Sequence, residues 1–161
     1  MLSEKRRLTL EAMLKVNFVI ETAFGPRPNI PIAEAFLASY VYNDKNQVNL
    51  SILLDVNDTT FWRQMLDLGE NSGNGHLGLG LVSECVTPRG VYYKITPKGQ
   101  KIILALIRPI RALPGNAGIK KVELAGRILS YLMSAKQAFR RQVSAKPQIT
   151  NRRPPSRGKR M

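Results

Sequence analysis

Apolar residues recur at three- and four-residue steps through Leu8, Ala12, Val16, Val19, Ile20 and Ala23, which predicts a helix over residues 4–24. Ser3 supplies a capping oxygen in front of it, and Gly25-Pro26 ends it. The three prolines of Phe24–Pro31 bar its continuation. A second helix is expected over 31–42, with Ile32, Ala35, Phe36 and Val41 among its apolar members. The polar run Asn43–Asn46 reads as a turn, and a short helix follows over 48–54. After the tight connection Asp55-Val56-Asn57, Asn57 caps a fourth helix over 58–68, whose inward stripe is Phe61, Met65 and Leu68.

The period then changes. A glycine-rich stretch, 69–80, reads as loop, and two strand-like runs, 81–86 and 91–95, flank Thr87-Pro88-Arg89-Gly90. Val91, Tyr93 and Ile95 alternate with Tyr92 and Lys94, as a half-buried strand requires. Pro97 suits the first turn of a helix running to Arg108 through Ile102, Ile103, Leu106 and Ile107. Pro109, Pro114 and Gly115 are expected to interrupt it. A last long helix over 119–143 carries Val122, Ala125, Leu129, Leu132, Ala135, Phe139 and Val143. Residues 146–161 hold three prolines, six basic residues and no acid, and read as a disordered basic tail. The fold class expected is mainly α with a small β-hairpin: one domain over 1–145, then the tail.

Charge adds a direction to this pattern. The 161 residues carry a formal charge of +14, which asks for a polyanionic partner or a basic appendage. Residues 1–108 hold 12 Lys/Arg against 10 Asp/Glu, whereas 109–161 hold 13 against Glu123 alone. The excess is thus an appendage on an ordinary domain. A single cysteine, Cys85, rules out an internal disulfide and reads as a small core residue of a strand. The longest strongly apolar run, Ile102–Ile107, is too short for a bilayer, and no secretory signal pattern opens the chain. No membrane association is expected, and the expected address is the cytoplasm or nucleoid.

Three helices, a hairpin and a further helix is the order of a winged helix-turn-helix, whose second motif helix enters the major groove of DNA. With Phe61, Met65 and Leu68 inward, Thr59, Thr60, Trp62 and Arg63 remain on the outer face. Hydroxyls and arginine are suited to base edges, and the helix N-terminus under Asn57 offers free N–H groups to a phosphate. Arg89 at the hairpin tip is placed for a minor groove, and Lys94 on the hairpin adds a cation.

At these positions the chain resembles the MarR family of winged-helix regulators. The text Leu54–Leu68 follows the family's spacing, with Asn57, Thr60, Phe61, Arg63 and Leu68 at matching places. Gly80–Val82, Arg89 and Ile95–Gly99 are similar to the family's strand, wing arginine and "LTxKG" start of the next helix. The eleven residues Gly69–Leu79 depart from the usual short connection and look like the family's bacteriophage-borne members, for which the address is the host cytoplasm. The wing is shorter than usual, Trp62 replaces a common Ser, and Asp67 stands at an often basic position. The resemblance implies a DNA-binding lobe over 30–108 and dimerisation helices over 4–24 and 119–143. It also implies a homodimeric transcriptional regulator of double-stranded DNA, with a small-molecule or host-protein effector left unidentified.

Enzymatic chemistry has little support. His76 sits alone among glycines, and one His with one Cys does not make a zinc site of the usual kind. Gly73, Gly75, Gly78 and Gly80 lack the Gly-Lys-Ser/Thr ending of a phosphate-binding loop, and no catalytic grouping or cofactor motif stands out. Two other functions fit the residues: an architectural or replication-associated nucleic-acid protein driven by the basic tail, and a phage protein that meets a host factor through its winged helix. Asp55, Asp58 and Asp67 favour the latter, because acids repel phosphate.

Overall fold

The computed structural model describes residues 3–25, 29–71 and 77–145. Among them it has six helices and one two-stranded antiparallel sheet: α1 (Glu4–Phe24), α2 (Asn29–Val41), α3 (Gln47–Leu53), α4 (Asp58–Leu68), β1 (Val82–Thr87), β2 (Gly90–Ile95), α5 (Pro97–Arg111) and α6 (Lys121–Ser144). Local chemistry sets most of these bounds. The Ser3 hydroxyl accepts from Arg6 N and the Asn57 carboxamide from Thr60 N, each satisfying an orphan N–H of the helix it starts. Asn46 does the same for α3 through Asn49 N, which starts that helix one residue before the position expected.

α2 is the hub. Ala33 through Ser39 are all buried, so it is enclosed on every side, as a helix apolar all round must be. α1, α3, α4, α6 and β2 all pack against it, and α5 lies along α1 and α6. Phe36 meets Phe24 of α1 with ring centroids 5.5 Å apart. Each fully buried side chain of this size contributes roughly 1.5–3 kcal/mol, and one continuous core joins α1, α2 and α6 to α4 and α5.

The hairpin pairs Val82 with Ile95 through Thr87 with Gly90. Gly90 holds φ at 125°, which a side chain would strain, and Thr87 Oγ1 braces the turn by accepting from Arg89 N and donating to Gly90 O. Thr96 ties the hairpin to α5: its hydroxyl donates to Gly80 O at 2.7 Å and accepts from Gly99 N at 3.1 Å. Gly99 lies so near the Leu81 carbonyl that any Cβ there would overlap it. That double constraint is the physical content of the Ile95–Gly99 pattern.

Several expectations are corrected. Pro109 does not stop α5, which continues to Arg111. The lost hydrogen bond is a single one near the helix end, and the buried Ile110 carries the last turn into the core. The stripe of α6 does not run its full length: Ala125, Leu129 and Leu132 are buried, but Val122, Ala135, Phe139 and Val143 are exposed. Its buried face includes Leu124 and Ile128 and packs on α2 and α5 of the same chain. Cys85 is half-buried rather than a core residue. The ends of the glycine-rich stretch are tied by Gly78 N to Glu70 O and Leu79 N to Asp67 O, both 2.9 Å. His76, Gly73 and Gly75, and the tail 146–161, lie outside the described residues. No helix among the described residues is long and apolar enough to cross a membrane.

Candidate nucleic-acid interface

α4 buries Phe61, Met65 and Leu68 and leaves Thr59, Thr60, Trp62 and Arg63 exposed. The indole of Trp62 is 44% exposed, so it is available at the surface and is not a core anchor. Asn57 is also exposed, but its side-chain oxygen is spent on the Thr60 N–H at 2.7 Å. It shapes the helix start.

A chain of hydrogen bonds fixes where this helix start lies. The Tyr93 hydroxyl of β2 donates to Gln47 Oε1, and Gln47 Nε2 donates to Asp58 Oδ1 at 3.1 Å. Gln47 opens α3 and Asp58 opens α4, so two helix N-termini stand side by side against the hairpin. Tyr93 also packs edge-on against Phe61, with centroids 6.1 Å apart. Burial, reinforced by the negative charges of Glu84 and Asp58, pushes the Tyr93 phenol well above its ordinary pKa of 10.0. It therefore stays protonated as the donor of the chain.

The hairpin tip joins the same place. Asn46 Nδ2, at the start of α3, donates to Arg89 O at 3.2 Å, which brings the tip beside the paired helix starts with the Arg89 side chain exposed. Lys94 is not brought there. It alternates with Tyr93 along β2, so it occupies the hairpin face opposite the one packed on α3 and α4. Sequence reasoning missed Asn46, Gln47 and Tyr93 as the residues that assemble the site. Asn46 carried a readable signal, a capping side chain ahead of an apolar helix; the Gln47 bridge is tertiary and carried none.

Charge is unevenly placed around this site. Residues 29–96 hold Glu34, Asp44, Asp55, Asp58, Asp67, Glu70 and Glu84 against Lys45, Arg63, Arg89 and Lys94, a net of −3. From Pro97 onward the chain holds 16 Lys/Arg and one acid, a net of +15. The positive charge of the chain therefore lies from α5 onward, and the segment that carries α4 has no positive field of its own.

Among the described residues no group of three His, Cys, Asp or Glu side chains could hold a metal ion. No family model, curated protein or solved structure matches the chain.

Proposed function

We propose that the chain is a sequence-reading, double-stranded-DNA-binding transcriptional regulator of winged helix-turn-helix type that works as a homodimer. α3 and α4 form the motif, α4 enters the major groove, and the hairpin is a short wing. The observation that carries the reading is the convergence at the start of α4: exposed Thr59, Trp62 and Arg63, two adjoining helix starts tied to β2 through Gln47 and Tyr93, and the Arg89 backbone held beside them by Asn46. A rigid, exposed helix start with an arginine one turn in is what base-edge contact requires. Lys94 is left out of the contact set by its face of the hairpin.

The homodimer is supported by an apolar stripe on α1. Leu10, Leu14 and Phe18 stand four residues apart and are all more than half exposed, and Leu14 and Phe18 line a trough with Ala105 and Pro109 of α5. α6 enters this dimer surface only through its exposed members, since its central stripe is consumed within the chain.

A second reading, a protein partner on the same lobe, is favoured by its net −3 charge and by Val48 and Ile52, exposed on α3. Selection of bound duplexes from a random pool separates the two. A two-fold symmetric motif enriched by the chain is the expected result; binding without enrichment overturns the regulator, and absence of binding to any duplex at low salt favours the protein partner.

A further inference from the structure

The outward face of α1 is complementary to itself when reversed. Arg7, Leu10, Leu14, Phe18 and Glu21 are all exposed and follow one another at steps of three and four residues. That spacing keeps them on one stripe of the helix, a seam of the kind that packs against a second helix at a shallow angle. Leu14 is its centre. Leu10 and Phe18 lie four residues to either side, and Arg7 and Glu21, of opposite charge, lie seven residues to either side. Arg7 faces Glu11 of its own helix at 4.0 Å with both side chains more than half exposed, a contact too loose to hold it there.

A two-fold axis at Leu14 matches every member of the stripe. Leu14 then meets Leu14 of a second copy, Leu10 meets Phe18, and Arg7 meets Glu21. Seven residues are about 10.5 Å of helix rise, and helices crossing at about 20° stay in side-chain contact over that length. Leu14 and Phe18 form one wall of the trough whose other wall is Ala105 and Pro109 of α5, so Leu10 of the second copy lands beside a recess. Other arrangements match less. A parallel pair sets Arg7 on Arg7 and Glu21 on Glu21. An antiparallel pair with its axis at Val16 sets Glu11 against Glu21, and one with its axis at Ala12 sets Phe18 against Arg6 and leaves Arg7 opposite Asn17. Like charges and unmatched apolar groups count against all three.

We propose that two copies of the chain join through an antiparallel pair of α1 helices with the two-fold axis at Leu14, and that Arg7 and Glu21 set its orientation and register. The apolar stripe supplies the affinity. The charges at its ends, individually worth little, select among arrangements that bury the same apolar side chains. The inference rests on the homodimer of the proposed function and is independent of what α4 contacts.

The test uses the full chain with Cys85→Ser, whose dimerisation is first measured by sedimentation. Arg7→Cys and Glu21→Cys variants of it, one enlarged by an affinity tag, are then treated with a short bis-maleimide, each alone and as a mixture. The expected result is a cross-link between tagged and untagged chains in the mixture and none in either variant alone, since the two copies of position 7 lie about 21 Å apart along the paired helices. Charge gives a second measurement. Arg7→Glu should weaken dimerisation about tenfold, because both symmetric pairs turn from attraction to repulsion. Arg7→Glu combined with Glu21→Arg should return it to within about twofold of the parent. Both side chains are exposed, so these variants fold as the parent does. A dimeric chain in which either cysteine variant cross-links to itself, or in which the mixture gives no cross-link, overturns the register and leaves the homodimer standing. So does a charge reversal that the double variant fails to rescue. A monomeric parent overturns the homodimer and the register with it.

Discussion

At Gly99 the backbone of α5 passes against the Leu81 carbonyl while its N–H is taken by Thr96 Oγ1. Gly99→Ala must push the first turn of α5 away from the hairpin and break the Thr96 bonds to both sides. A loss of about 2–4 kcal/mol is expected, in the range of overpacking combined with a lost cap, read as a fall in the denaturant midpoint. A variant within about 0.5 kcal/mol of the parent would show that the close approach does not constrain the fold. Glu34 makes a second residue-scale case. Burial raises its carboxyl above the ordinary 4.5, and the charges of Lys136 and Arg140 only partly oppose that. The folded chain therefore keeps this proton to higher pH than the unfolded chain does. The associated stability is full below the unfolded value and is lost as pH rises through the folded one. Glu34→Gln removes the titration, so its unfolding free energy should decline less between about pH 4.5 and pH 7. Denaturant melts across that window check it, and a steeper decline in the variant would contradict the assignment.

Elements are where the sequence was most and least readable. The spans of α1 and α4 agree with the expected 4–24 and 58–68, because each pairs a clean apolar stripe with a local cap, Ser3 and Asn57. Local signals ran out where tertiary packing took over. Pro109 looks like a stop in one dimension, but Ile110 has a core to enter. α6 has helical apolar spacing over its whole length, and only the fold reveals that no residue of it beyond Leu132 is buried and that Lys136 and Arg140 pair there with Glu34 and Asp55. The candidate site was half readable: the outward residues of α4 follow from periodicity and Arg89 from the hairpin turn, whereas the Gln47 bridge that joins both helix starts to Tyr93 is tertiary and left no local signal. α1 carries a second stripe, and it gives an element-scale prediction. Leu14→Glu with Phe18→Glu alters side chains that are 67% and 69% exposed, so the fold should survive unchanged. The native chain is expected to be dimeric at micromolar concentration and the variant monomeric by light scattering. A monomeric parent, or a variant that still dimerises, would remove the homodimer from the proposal.

For the whole molecule, the proposed regulator would divide recognition from attraction by charge. The lobe of residues 29–96 is net −3, so the contacts to DNA proposed for it would be short-range hydrogen bonds and stacking, which salt weakens little. The cations beyond Pro97 supply the long-range part, and six of them lie in residues 146–161. Each phosphate neutralised adds about 0.9 to the log–log slope of affinity against salt. Removing the tail should therefore flatten that slope by up to about 5 and weaken binding to every duplex alike. The ratio of affinities for a selected and a random duplex should stay within about twofold, because the groups proposed to distinguish bases, Thr59, Trp62, Arg63 and Arg89, remain in place. Titrations at four or more salt concentrations, with and without residues 146–161, measure both quantities at once. If the ratio collapses toward one along with the slope, the tail was the binder, α4 was not reading bases, and the architectural function replaces the regulator. If the slope is unchanged, the tail does not meet phosphate, and the excess charge of this chain must serve another polyanion.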